Sequence, residues 1–479
     1  MRAKIFYFTL QDEQTKEEKL DWFERTRFEE IPFDHITPDQ KANWINLTDN
    51  DFDSFLPLID KEVKAGKSQE AVFELFSAGV KTQRDEWVYD FSKEVLIERM
   101  KYFVEVYQER LEKGVRRELD VKWDRELDKY FERGVKKKFE NKNIVFSLYR
   151  YFTKMYFYFD RNFNGMTYQM FNIFPEAESE NKLIGFMGQS AGKPFSIIAT
   201  NLVPDQNCIS AASGGTQCLP LYRYDEKGDR IDNITDWALE QFRNHYRSPC
   251  PSDIPLIKGG NRRVPLDKGG SRGDQITKLD IFHYTYAVLH HPAYRTQYEL
   301  NLKREFPRLP FYPNFHQWAT WGKDLMDLHL NYETIEPYGL RRVDVGRKKS
   351  ASDIPLQATL IPIDVPDPAK PIKRTIPKAK LKADKTEGKI ILNTETTLED
   401  IPALAWDYKL GNRSALEWIL DQYKEKKPKD PTIAKLFNTY KFADYKEHVI
   451  DLLQRVCTVS VKTMEIIQQM PDTVEHKGG

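Results

Sequence analysis

The chain carries no net charge: 73 Lys and Arg stand against 73 Asp and Glu in 479 residues. A small dedicated nucleic-acid binder is usually basic overall, so any such site here has to be a local patch. Cysteine is scarce. Cys208, Cys218, Cys250 and Cys457 have neither disulfide-framework nor zinc spacing, which argues against a stapled secreted scaffold and fits a reducing cytoplasm. No apolar run approaches the roughly 20 residues that span a bilayer. Met1-Arg-Ala-Lys leads straight into strand-like Ile5-Phe-Tyr-Phe8, without a signal-peptide pattern. A cytoplasmic protein with no membrane partner is expected.

Aromatic side chains are plentiful, at 13%, enough for substantial cores in two or three domains. The most ordered pattern lies at 277–332. Thr277 and Asp280 form a capping-box start. Leu279, Phe282, Tyr286 and Leu289 then share one helical face. Pro292 suits the first turn of a second helix, and Phe306-Pro307 ends it. A third helix turns Phe315, Trp318, Leu325 and Leu328 inward.

Upstream, 5–10 and 31–36 read as strands, with a short helix between them that starts on Thr15 and Glu18. Residues 71–77 read as a buried strand. Ser92 caps a long helix whose Leu96, Met100, Phe103, Tyr107 and Leu111 make the inner stripe, with Arg99 off it. Residues 122–138 read as helical and end in Lys136-Lys-Lys138. Alternating aromatics at 148–161 suggest a strand. Short strands follow at 183–187, 196–199 and 219–224, then a helix at 233–246. Near the end, Gly411 turns the chain and Asn412 caps a helix burying Leu416, Ile419, Leu420 and Tyr423. Residues 445–467 read as two more helices.

Three runs carry a family resemblance. They are Leu289-His-His-Pro-Ala-Tyr-Arg, Leu302-Lys-Arg-Glu-Phe-Pro-Arg-Leu-Pro-Phe, and Trp406-Asp-Tyr-Lys-Leu-Gly-Asn-Arg-Ser-Ala-Leu-Glu-Trp418. Together they resemble the C-terminal part of type ISP restriction–modification enzymes. Those are long single chains with a nuclease, a helicase-like motor, an adenine-N6 methyltransferase and a target-recognition domain. Tyr149, Arg150, Phe152 and Tyr158 match the signature at the methyltransferase-to-recognition junction, while Tyr151, Thr153 and Met155 depart from it. The resemblance implies an α+β chain of mixed strands and helices. A methyltransferase tail with connecting helices would occupy 1–145 and an α/β target-recognition domain 146–345. A Pro/Lys-rich linker or insertion would follow at 346–388, then a helical C-terminal module at 389–470.

An adenine-N6 methyltransferase needs an Asn/Asp/Ser-Pro-Pro-Tyr/Phe loop, whose polar groups hold the amino group of a flipped adenine while the ring stacks on the base. The chain contains no Pro-Pro pair. No catalytic residue, metal site or cofactor is therefore expected within it. S-adenosylmethionine, ATP and Mg²⁺ would belong to other portions of the full enzyme, and a separately encoded methyltransferase/helicase portion would then be a partner. The expected partner is double-stranded DNA.

Candidate DNA-binding residues fall into two groups. The loop 247–275 is Gly/Pro-rich and basic, with Lys258, Arg262, Arg263, Lys268 and Arg272 suited to phosphates. Arg150 suits a phosphate or an internal carboxylate. Gln217, Tyr222 and Arg223, on a strand-and-turn frame, are candidates for reading bases. Two rival readings stand beside this one. Pro204-Asp205 with Asp225-Glu-Lys227 loosely fits a Mg²⁺-dependent nuclease, and a protein–protein scaffold without DNA is the other. His283, His290, His291, His316 and His329 lack ligand partners at metal spacing and read as core or surface histidines.

Overall fold

The computed structural model describes residues 4–10, 15–38, 44, 51–115, 121–176, 178–189, 194–209, 214–246, 276–345 and 377–472. It begins with strand β1 (Ile5–Tyr7), helix α1 (Lys16–Arg25) and strand β2 (Asp34–Ile36), the strands pairing antiparallel. The capping box on α1 forms as expected: the Thr15 hydroxyl accepts from the Glu18 amide, and the Glu18 carboxylate accepts from the Thr15 amide at 2.7 Å. No residue of α1 is buried.

Eight strands then build two four-stranded sheets. In chain order these are β3 (Ser77–Ala78), β4 (Tyr89–Asp90), β5 (Ile144–Arg150), β6 (Thr153–Tyr158), β7 (Leu183–Met187), β8 (Ile197–Thr200), β9 (Val203–Pro204) and β10 (Thr216–Pro220). The strand orders are β9-β5-β6-β4 and β3-β10-β7-β8, and only β9 runs parallel to its neighbour. The aromatic run at 148–161 is thus not one strand. It is the tip and second arm of the β5–β6 hairpin, and Phe152, with φ +50°, makes the bend. Alternation continues through both arms, which hides the turn. In the stretch 71–76, Ala71, Val72, Phe73 and Phe76 are buried but the backbone is irregular: Phe73 makes isolated bridges to Ile59 and Ile234.

Helix α2 (Lys93–Lys113) starts on the Ser92 hydroxyl and ends at Gly114, whose left-handed φ of +63° suits glycine. Its buried stripe includes Leu96, Met100, Phe103 and Tyr107, and also Arg99. Arg99 turns inward because it has carbonyls to satisfy. Its Nε donates to Trp87 O at 3.0 Å and its Nη2 to Tyr89 O at 2.6 Å. Asp90 lies 2.9 Å from the same guanidinium. Helix α3 (Arg125–Glu132) is shorter than the expected helix, and Lys136 and Lys138 follow it exposed.

A hairpin of β11 (Tyr222–Tyr224) and β12 (Arg230–Asp232) leads to helix α4 (Asp236–His245). Helices α5 (Lys278–His290) and α6 (Phe315–Leu330) then pack against each other. Every residue of α5 from Ile281 to His290 is buried, whereas Leu279, expected inside, is 43% exposed. A helix buried all round has lost the one-sided period on which that expectation rested. Gly322 makes the close crossing possible, since a Cβ there would stand 1.8 Å from the His283 carbonyl oxygen. Leu328 is only half-buried.

The last sheet has the order β13-β16-β15-β14, from β13 (Arg341–Asp344), β14 (Ala379–Asp384), β15 (Lys389–Asn393) and β16 (Thr396–Glu399). Helix α7 (Ala415–Gln422) is capped by Ser414 rather than Asn412, in a capping box with Glu417. Gly411 makes the turn before it at φ +69°. The chain then runs as one 26-residue helix, α8 (Phe442–Ile467), where two were expected. Three apolar clusters result: one around α5 and α6, one under α7 and α8, and one under α2 and the first sheet. Residues 52–76 pack into the α5–α6 cluster. Among the described residues, no helix is long and apolar enough to cross a membrane.

Candidate nucleic-acid interface

Where β9 ends, the chain crosses the segment 79–86 and opens a cleft of about 800 Å³. The crossing is stitched by backbone. Val80 N donates to Pro204 O at 2.9 Å, and Gln206 N to Val80 O at 2.8 Å. A Cβ on Gly79 would stand 2.6 Å from the Asp205 carbonyl oxygen, so only glycine fits this approach.

Beside the cleft lies a largely buried charge network, and its Asp85 and Asp205 line the cleft. Arg150, at the end of β5, donates from Nη1 to Asp205 Oδ1 at 2.8 Å and to Tyr149 O at 2.6 Å. Its Nη2 lies 3.6 Å from Asp85 Oδ2, and its guanidinium rests over the Tyr149 ring at 3.9 Å. Asp85 also accepts from the Tyr149 hydroxyl at 3.2 Å and from the Thr82 hydroxyl. Burial pushes the Asp205 carboxyl up to about 7, against the pull of Arg150. Burial also disfavours charge on Arg150, but Asp205, Tyr149 and Asp85 outweigh it and keep the guanidinium protonated. A buried charge is tolerated when paired this way.

The opposite wall comes from far along the chain. Trp87 Nε1 donates to Asp430 Oδ2 at 2.8 Å. The Glu86 carboxylate accepts from Lys429 N at 2.9 Å and from Asp430 N at 2.8 Å. Arg84 is 1% exposed; it donates to Phe163 O at 2.7 Å and pairs with Asp124. Its Nε meets no partner among the described residues.

The candidates from sequence are not gathered in one place. Arg150 sits in the network beside the cleft. Gln217 is half-buried in mid-sheet on β10, opposite Ala78 and Phe186. The Tyr222 ring lies under the Arg230 guanidinium at 4.3 Å, and Arg223 pairs with Glu74 at 2.8 Å. None of these four lines the cleft. Lys258, Arg262, Arg263, Lys268 and Arg272 lie outside the described residues. Lys137 pairs with Asp160 at 3.1 Å. Gln83, Gln206 and Asn207, which do line the cleft, carried no motif. Their one local signal is Pro204-Asp205, and the spacing of 83 from 206 gives no hint of proximity.

The nuclease pattern comes apart in the structure. Asp205 is 1% exposed and bound to Arg150, while Asp225 caps the β11–β12 turn, accepting from Lys227 N and Asp229 N at 2.9 Å each. The histidines behave as core and surface residues: His283, His290, His291 and His329 are buried and His316 is exposed.

Comparison with known proteins agrees with this architecture. The chain is similar to DrdV in the cryoEM structure of a DrdV–DNA complex, with 41% identity and a TM-score of 0.81 over 99% of this chain and 44% of that one. It is also similar to a nuclease-deletion mutant of the type ISP restriction–modification enzyme LlaGI, solved with a DNA substrate mimic. There the identity is 25% and the TM-score 0.74, over 99% of this chain and 40% of that one. The ATP-dependent type ISP enzyme LlaBIII bound to DNA matches at 26% identity and a TM-score of 0.69, over 92% and 26% of the two chains. The chain thus spans less than half the length of each of these relatives. Among curated proteins nothing matches. The family model of the type ISP C-terminal specificity domain covers residues 71–452, and the chain belongs to that family.

Proposed function

We propose that the chain is the DNA target-recognition part of a type ISP restriction–modification system, acting in the cytoplasm. It binds double-stranded DNA in a sequence-dependent way and presents the target adenine to a methyltransferase portion outside this sequence. The observation that carries this reading is the 41% identity to DrdV, solved on DNA, over 99% of the chain. Catalysis belongs elsewhere: the sequence has no Pro-Pro pair to hold a flipped adenine. S-adenosylmethionine, ATP and Mg²⁺ would serve the other portions.

Because the chain is neutral, its affinity has to come from localised Lys and Arg contacts to phosphate. Binding of the chain to a fluorescent duplex should weaken steeply with salt, by a log–log slope of about 0.9 per phosphate contact. Duplexes selected by the chain from a randomised pool should share one sequence. Absence of binding at low salt, or a selected pool without a common sequence, would overturn the reading. Labelled methyl groups transferred to DNA by the chain alone would overturn its non-catalytic part.

A further inference from the structure

We propose that the cleft at the end of β9 is the base-reading surface, with Gln83, Gln206 and Asn207 as the reading side chains. The assignment rests on the DNA-recognition reading above and names the residues that carry it. All three residues line one cleft of about 800 Å³. A carboxamide presents a donor and an acceptor side by side, which matches the N6 and N7 edge of adenine in the major groove.

Base reading requires side chains held by a rigid frame, and this frame is rigid. Gln206 is pinned on both sides, its amide on Val80 O and its carbonyl on Thr216 N. Asn207 N donates at 2.8 Å to Asp205 Oδ1, the oxygen that also binds Arg150. The buried Arg150–Asp205 pair therefore sets the position of Asn207. Gln83 is exposed and has φ +65°, a left-handed conformation uncommon for a residue with a long side chain. Such backbone persists where the surroundings over-determine it, and it clusters at functional sites. Here Thr82 and Arg84, both 1% exposed, anchor it on either side.

The acidic side chains of the cleft are already engaged within the protein. Asp85 is engaged by Thr82, Tyr149 and Arg150, and Asp205 by Arg150. Glu86 accepts two backbone amides and Asp430 the Trp87 indole. Lys81, Lys122 and Lys429 also line the cleft and suit the flanking phosphates.

The test uses the chain and two variants, Gln83→Asn and Asn207→Ala. Asparagine tolerates left-handed backbone, so Gln83→Asn shortens the reach without adding strain. Each protein selects from a randomised duplex pool. Its affinity is then measured for the duplex that the parent chain selects and for an unrelated duplex, with thermal melting as the control for folding. The expected result is a loss of preference at one or two adjoining positions. Affinity for the parent's duplex should fall about tenfold or more, with affinity for the unrelated duplex unchanged and melting retained. Variants that select the parent's sequence with the parent's affinity overturn the assignment alone. An equal loss on both duplexes makes these residues phosphate contacts and overturns base reading. A parent chain that selects no sequence overturns the recognition reading and this assignment with it.

Discussion

Helices α1 and α5 start in the same way and finish in opposite surroundings. Thr15 with Glu18 and Thr277 with Asp280 each form a complete capping box. Yet α1 buries no residue and leaves Leu20 and Phe23 57% and 53% exposed, while α5 is buried from Ile281 to His290. A capping box fixes where a helix begins because its partners lie within three residues. What the helix contributes to stability depends on what covers it.

The comparison can be broken most forcefully at α6. The Trp318 ring stacks on Tyr312 at 4.2 Å and meets His291 edge-on at 5.1 Å. Trp318→Ala should cost about 3–5 kcal/mol in urea melts. A loss under ~1 kcal/mol would show that this cluster does not hold the fold.

Next in size is Gly322→Ala. On an exposed helix this change gains up to about 1 kcal/mol. Here the new Cβ would overlap the His283 carbonyl oxygen, so a loss of about 1–3 kcal/mol is expected. A stabilised variant would mean that α5 and α6 separate without cost.

Buried histidines make the fold sensitive to acid. His329 meets the Tyr286 hydroxyl at 2.6 Å, the Thr463 hydroxyl at 2.9 Å and the Tyr408 hydroxyl at 3.2 Å, and so ties α6 to both α5 and α8. Burial pushes its imidazole down to about 3, and that of His283 down to about 4. A folded pKa below the unfolded value of about 6.5 means that only the unfolded chain takes up the proton in between. Stability from this source is full above pH ~6.5 and falls with acidification by about 1.4 kcal/mol per pH unit per histidine. His329→Gln should therefore flatten the stability profile between pH ~6 and ~4 by about that slope. Parallel profiles for parent and variant would rule out a neutral buried His329.

The smallest effect belongs to α1. Phe23→Ala should change stability by no more than about 0.5 kcal/mol, because the ring is half exposed. A loss above ~2 kcal/mol in the same melts would show that α1 is covered in solution.

This contrast also explains what was legible in the sequence. Starts at Thr15, Ser92 and Thr277 were readable, since a hydroxyl and the amide it caps are neighbours in the chain. Ser414 was missed because Asn412, two residues earlier, also suits a cap. The β5–β6 hairpin was read as one strand because its turn, at Tyr151 and Phe152, holds two fully buried aromatics and no glycine. Arg99 looked solvated because only the fold brings the Trp87 and Tyr89 carbonyls to it. The cleft was invisible for the same reason: its walls come from 81–87, 205–207 and 429–430. The family, by contrast, was legible, because runs such as Leu289 to Arg295 stand uninterrupted in the sequence.

The latch between Trp87 and Asp430 has a consequence for biosynthesis. Its two ends are 343 positions apart. At translation rates of ~5–20 residues per second, roughly 20–70 s separate their synthesis. Throughout that interval the nascent chain lacks the 429–430 wall of the cleft, with the Glu86 carboxylate and the Trp87 indole still unmatched. The cleft is therefore among the last features to assemble on the ribosome, and a product that stops before Lys429 is made without its second wall.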